Sequence, residues 1–454
     1  MTEIKPFRAL IYNRGIIKDY KKVVCPPYDI ISPPMQKALY ELSDYNAVRL
    51  ELGKEGPLDK PSDNRYTRAK DTINEWIKNS VLVFDKKPAI YLYRQDYKYK
   101  KRPKTQLGFM ALIRLSDSKR GGVLKHEKTF SGPKKDRFKL LNSTHANISP
   151  IFSLYFDERQ CVKKILNNCM ASREPFADAQ VDGIRNRMWR IADIADIKRI
   201  RKCMRDKKIF IADGHHRYEV AVAYKNEMRK RALADAADAF AYVMMYFAGL
   251  DEDMTILATH RVIKNIKFDE KNIIRNFKPF FEIEELKSAK RLHEHVENSA
   301  LKHVFGMYLK NKKAFLLKLK DAKTADLIVK TKMSKEWKRL DVSILHEFIL
   351  GHILNFKKTD ESNIIYARDA ELAIDMVNRR KADMAFLLKA TKISQITRIA
   401  SLGERMPHKS TYFYPKLLSG FVINRPNGSL YNLEKVRKNG FQGIKREPFL
   451  GRPK

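Results

Sequence analysis

Residues 207–231 read KKIFIADGHHRYEVAVAYKNEMRKR, and the fold of the chain turns on this stretch. Ile209, Phe210, Ile211 and Ala212 make a short apolar run, the pattern of a buried strand. From Tyr218 onward the apolar residues Val220, Val222 and Ala223 fall among charged ones at helical spacing. The reading is strand, sharp turn, helix. Such a turn lies at the amino end of a helix, where backbone N–H groups lack intrahelical partners and the dipole is positive, so it suits an anion. Gly214 lets the backbone approach a ligand closely, and Arg217 offers a planar fork that fits two phosphate oxygens. A plainer reading makes Asp213 an N-cap and the histidines ordinary polar surface. It accounts for Asp213 and Gly214, but not for His215, His216 and Arg217 in succession.

Around this element the pattern predicts an α/β, mixed α+β chain. A helix is expected near 34–42, a strand at NAVRLEL (46–52) and a helix over 63–80. AIYLYRQDY and LGFMALIRL read as two strands joined by a basic loop, KYKKRPKTQ. FAYVMMYFAG and TILATHRVI read as adjacent strands, 268–300 as two charged helices, and DVSILHEFILGHIL as a helix. The expected organisation is a mixed N-terminal region over 1–157, a phosphate-binding core over 158–265, an α+β region over 266–424 that completes the cleft, and a basic tail over 425–454.

Composition narrows the function classes. With 454 residues and a hydrophobic share of 44%, the chain can bury several subdomains. No run of about 18 apolar residues exists, so no membrane span is expected. The N-terminus MTEIKPFRAL lacks a signal-peptide pattern, and the four cysteines form no CxxC pair. Neither structural zinc nor a disulfide framework is expected, and a reducing cytoplasm fits. The formal charge of +38 favours polyanions in general, yet the lysines and arginines are spread through every segment. With no helix-turn-helix, zinc finger or aromatic-basic sheet, nucleic acid is not the expected partner.

Three further stretches concentrate polar chemistry. KHEKTFSGPKKDR reads as a charged loop in which Glu127 stands between His126 and Lys128, placed to act as a general base or to orient one. NSTHANISP adds Asn142, Thr144, His145 and Asn147 as hydrogen-bonding candidates for a substrate. ATHRVI sets His260 and Arg261 in a strand, and GERMPHKSTYFYPK offers Lys409, Ser410 and Thr411 as phosphate donors. The shared theme is His, Lys, Arg and hydroxyl groups, which suits binding and moving phosphate.

Taken together, KPFRAL, VVCPPYDIIS, YNAVRLELGKE, HEKTFSGPKKDR, THANISPIFSLY, IADGHHRYEVA, THRVI and MPHKSTYFYPKLLSG resemble the uncharacterised prokaryotic domain-of-unknown-function family 1015, over residues 5 to about 424. The DGHHR turn is similar to that of the ParB/sulfiredoxin-like superfamily. That likeness implies a ParB/sulfiredoxin-like core contacting nucleotide phosphates. Sulfiredoxin chemistry needs a cysteine where His215 stands, and DNA partition needs a reading helix that is not found. The free serine kinase activity of the superfamily fits best. Association of the family with serine biosynthesis genes points the same way. The resemblance therefore implies phosphoryl transfer between ATP or ADP and a small hydroxylated metabolite, serine or phosphoserine first. Gly214, Arg217, Arg261, Lys409, Ser410 and Thr411 would hold phosphate. His215 or His216 would neutralise developing charge, Glu127 or Asp213 would take the hydroxyl proton, and Mg2+ would bridge phosphate oxygens. A nucleotide-independent phosphoserine phosphatase and a non-enzymatic nucleotide or nucleic-acid binder are the alternatives.

Overall fold

Strand, turn and helix occur where the apolar run and the helical spacing place them. A computed structural model describes residues 1–116, 122–125, 127, 131–230, 240–250, 254–266, 268–329, 331–356 and 362–426. The strand Ile209–Asp213 leads through Gly214 directly into the helix His215–Lys230. Ile209 and Ile211 pack into one apolar cluster, and Phe210 and Ala212 into another on the opposite face. Both faces of the strand are covered, which is why its sequence runs apolar without alternation.

That strand belongs to a nine-stranded mixed sheet. Its neighbours run in the order Val123–Leu124, Ile209–Asp213, Ile151–Tyr155, Tyr242–Gly249, Arg102–Arg114, Ile90–Tyr99, Ile184–Ile191, Ala177–Val181, with Ile4–Lys5 beside Arg102–Arg114. Pairing is antiparallel except for two parallel contacts, Val123–Leu124 on Ile209–Asp213 and Ile151–Tyr155 on Tyr242–Gly249. Strands from 1–157 and from 158–265 thus intermix within one sheet. A separate six-stranded antiparallel sheet is built from 260–387, in the order Phe281–Leu286, Ala314–Leu319, Val304–Leu309, Met384–Leu387, His260–Ile263, Ile364–Ala367. After it the chain returns to the first sheet's core, where Leu417, Phe421, Val422 and Ile423 are buried. Backbone bridges fix this return: Leu10 to Ile423, Cys25 to Ser419 and Asn147 to Asn424. The fold is mixed α/β, as expected.

Several local expectations are corrected. The basic stretch KYKKRPKTQ is mostly strand, since Ile90–Tyr99 and Arg102–Arg114 pair up to Tyr99 and Arg102. NAVRLEL holds a short helix, Val48–Glu51, with Glu51 turned into the interior. Residues 131–137, read as part of a charged loop, begin the helix Ser131–Thr144, which packs Leu140 inward. Tyr242–Gly249 and Thr255–Leu257 are not sheet neighbours; the latter pairs with Tyr412–Tyr414. Within 268–300, Phe281–Leu286 is a strand whose glutamates include Glu284, paired with Lys318 across the ladder. Cys161 and Cys203 form a disulfide between the helices Cys161–Ser172 and Ile194–Met204; a separation of 42 residues gave no local sign of it. Among the described residues no helix is long and apolar enough to cross a membrane. Residues 427–454 of the expected tail, and with them its Lys435, Arg437, Lys438, Lys445 and Arg446, lie outside the described residues.

Candidate functional site

Gly214 has φ +89°, a conformation that costs glycine little and other residues more. A Cβ there would stand 3.0 Å from the Arg217 guanidinium, so the glycine also lets that side chain fold back over the turn. Arg217 uses this freedom. Its Nη1 donates to the Pro150 carbonyl at 2.6 Å and its Nη2 lies 3.3 Å from Asp213 Oδ2. The expected free fork for phosphate is therefore a clamp between the turn and the start of the strand Ile151–Tyr155.

Asp213 also meets Lys416, whose Nζ is 3.3 Å from Oδ2. Burial alone would raise its pKa, but Lys416, Arg217, Lys409 and His215 outweigh burial and hold the carboxyl well below the usual range. Asp213 is an ionised anchor for cations and a poor proton acceptor. His215 is buried beneath the turn at 5% exposure, whereas His216 is partly exposed. Burial, with His408 and Lys409, keeps His216 below the ordinary imidazole value against the pull of Glu127 and Glu219.

Glu127 reaches this cluster from a separate segment. Its Oε1 accepts the Lys409 amide at 2.7 Å and lies 3.2 Å from His408 Nδ1. The Lys409 backbone is left-handed, with φ 54°, and its Nζ is 4.0 Å from Asp29 Oδ2. One turn along the helix, Glu219 gathers Lys125, Lys134 and Arg405 within 3.2–3.4 Å. The turn thus collects Asp29, Lys125, Glu127 and residues from 213–219 and 405–416.

Other candidates serve the scaffold. Arg261 is fully buried: Nε donates to His346 Nε2, Nη1 to the Thr259 carbonyl, and Nη2 to the His408 and Lys409 carbonyls at 3.2 and 3.1 Å. Burial lowers its pKa to about 10. It shapes the 408–409 loop from behind and has no fork left for phosphate. His260 points to the other face of the six-stranded sheet, where Nδ1 accepts the Leu388 amide and the ring meets His293. Burial pushes it down to about 3, so it is neutral and outside the cluster. Ser410 Oγ donates to the Pro407 carbonyl, and both Ser410 and Thr411 are buried. Thr144 caps its own helix through the Leu140 carbonyl, and Asn147 binds the Met244 amide and Asn424. His145 bonds to the Tyr224 hydroxyl at 2.5 Å beside Phe240, away from the turn. Asn142 sits on the helix Ser131–Thr144, its Oδ1 buried and unbonded among the described residues. His126 and Lys128 lie outside the described residues.

Sequence reasoning passed over Tyr28, Asp29, Glu219, Tyr412 and Lys416. Tyr412 receives Arg368 on its hydroxyl and Lys416 over its ring at 4.3 Å. Burial, against Arg368, pushes its phenol up to about 12. Only the PYD triplet after Pro26 carried a sign, an aromatic and an acid set by proline.

Solved structures with a partial likeness include a free serine kinase in complex with AMP, at 13% identity and TM-score 0.30, covering 64% of this chain and 83% of that one. A conserved hypothetical protein from Pyrococcus furiosus aligns at 14% identity and TM-score 0.31, over 66% of this chain and 91% of its own. SbnI with a C-terminal truncation, from Staphylococcus aureus, does so at 12% and 0.34, over 72% and 93%. No curated protein matches the chain. The family profile described as protein of unknown function, DUF1015, matches residues 4–343, three quarters of the chain, and the chain belongs to that family.

Proposed function

We propose that this protein transfers a phosphoryl group between a nucleotide, ATP or ADP, and a small hydroxylated metabolite, with serine or phosphoserine the first choice. The observation that carries this reading is the convergence of Glu127, His216, Lys409 and Lys416 on the Asp213–Gly214 turn. Phosphoryl transfer asks a protein mainly for positioning and for positive charge where oxygens gain negative charge. The helix amino end, Lys409 and Lys416 supply the charge. Glu127, fixed by the Lys409 amide, accepts the proton of the attacking hydroxyl. His216, held neutral, donates a hydrogen bond to a phosphate oxygen without adding a buried charge.

Mg2+ enters this reading only as a companion of the nucleotide. Among the described residues no group of three or more His, Cys, Asp or Glu is placed to hold a metal, and Asp213 faces cations. Such a set does not fit a ready cage, and no step here runs through the metal. In the same terms, Arg217, Arg261, Ser410 and Thr411 build the walls, and Arg217 positions Asp213.

The test is product analysis with purified protein, phosphoserine and ADP. Loss of phosphoserine that requires ADP and yields ATP in equal amount supports transfer. Release of inorganic phosphate without nucleotide would replace the reading by hydrolysis.

A further inference from the structure

Arg217 also borders a cavity of about 50 Å³, walled by Glu51, Arg137, Ser149, Asn147 and apolar residues of the surrounding elements. Glu51 is buried to 1% exposure. Its Oε1 accepts the Tyr28 amide at 3.2 Å and the Ser149 hydroxyl at 3.0 Å, while Oε2 has no hydrogen-bond partner among the described residues. Arg217 Nε, in the same wall, is likewise buried and unpartnered there. Arg137 cannot supply the missing bond: its guanidinium binds Asp136 and the Glu51 carbonyl, and its nearest approach to the Glu51 carboxylate is 3.9 Å.

A buried carboxyl oxygen and a guanidinium N–H left open in one small polar cavity are costly unless something answers both. Resting on the phosphoryl-transfer reading, we infer that this cavity is an α-amino-acid subsite, with the substrate ammonium on Glu51 Oε2 and its carboxylate toward Arg217 Nε. Three physical features favour such an occupant. The two open groups match the two charges that an α-amino acid carries on one carbon. The volume admits only a few heavy atoms, since one water needs about 10–15 Å³. Arg217 is common to this cavity and to the turn, so an amino acid seated here would extend its side-chain oxygen toward the phosphoryl group. Arg137 is matched at close range by Asp136 at 2.6 Å and Arg217 by Asp213, while the cation at Glu51, Arg137, stands 3.9 Å from Oε1 and leaves Oε2 open.

The experiment compares equilibrium binding of phosphoserine, of 3-phosphoglycerate, which lacks the ammonium, and of phosphoethanolamine, which lacks the carboxylate. It uses the full chain and Glu51→Gln. The substitution keeps an acceptor for the Tyr28 amide and the Ser149 hydroxyl and removes only the charge. The wild type is expected to bind phosphoserine at least about tenfold more tightly than either analogue. Glu51→Gln should lose the preference over 3-phosphoglycerate, with ADP binding unchanged. A wild type indifferent to the ammonium overturns the subsite and assigns the cavity to ordered water only; this arm needs no variant to fold. Amino-acid preference without any nucleotide-dependent transfer would instead sink the phosphoryl-transfer reading and leave the subsite standing. Transfer without amine discrimination would do the reverse.

Discussion

The Lys409 amide donates to Glu127 Oε1 at 2.7 Å, joining residues 282 positions apart in the chain. This bond aims the carboxylate and at the same time holds the left-handed backbone of Lys409. The loop and the carboxylate are one unit. Glu127→Gln keeps an acceptor for the amide and removes the charge that takes a proton. Turnover should fall about 10²–10⁴-fold with KM for nucleotide little changed. Steady-state kinetics beside an unchanged unfolding curve checks it; an equal kcat removes Glu127 from the chemistry.

Arg217→Lys separates a clamp from a phosphate ligand. Lysine cannot span Pro150 and Asp213 with a fork. Chemical denaturation should show a loss of about 1–3 kcal/mol, the range for hydrogen bonds to charged groups and for buried partners left open. A raised nucleotide Kd with wild-type stability would instead return Arg217 to direct phosphate binding.

Arg261→Met tests whether the six-stranded sheet shapes the site. Removing the guanidinium strands the carbonyls of Thr259, His408 and Lys409, and stability should drop by about 1–3 kcal/mol for each acceptor left buried without a donor. A variant as stable as the wild type, impaired only in nucleotide binding, would contradict the scaffold role.

His260 and His346 are both pushed by burial down to about 3, and His346 Nε2 must stay unprotonated to accept from Arg261. A depressed histidine pKa means that the unfolded chain binds more protons below its ordinary value of about 6.5. Stability is therefore full above that value and falls as pH drops toward 3, by about 1.4 kcal/mol per pH unit per histidine. Urea midpoints between pH 7 and 5 measure the slope. A flat profile would show that the folded chain protonates the two rings as readily as the unfolded one, against their burial as neutral groups.

Part of this was legible in the sequence. Ile209–Ala212 and the helix from Tyr218 onward were readable because a run of apolar residues and a helical period say different things, whereas the helix in fact opens at His215, inside the stretch read as turn. Phe281–Leu286 was not, because Glu282, Glu284 and Glu285 on a solvated strand mimic a charged helix. For the site, Glu127, His216 and Lys409 carried their chemistry in their types. Arg261 carried the same type and is spent on carbonyls, a distinction set by burial. Lys416 and Glu51 looked ordinary, since the contacts Lys416–Asp213 and Glu51–Ser149 join residues more than 90 positions apart.

The charge makes a separate forecast. If the surplus of Lys and Arg is solvated background, random DNA should bind with Kd in the non-specific range, about 10⁻⁴–10⁻⁶ M at physiological salt. A chain lacking residues 426–454 should bind no more weakly. A tight complex lost on that deletion, with no transfer activity in either form, would favour a nucleic-acid binder.

The most direct measurement follows a labelled γ-phosphoryl group from ATP in the presence of serine, for the wild type and Glu127→Gln. The site as built predicts label on phosphoserine, formed at least about a hundredfold more slowly by the variant. Label found only in inorganic phosphate, or equal rates in both proteins, would contradict it.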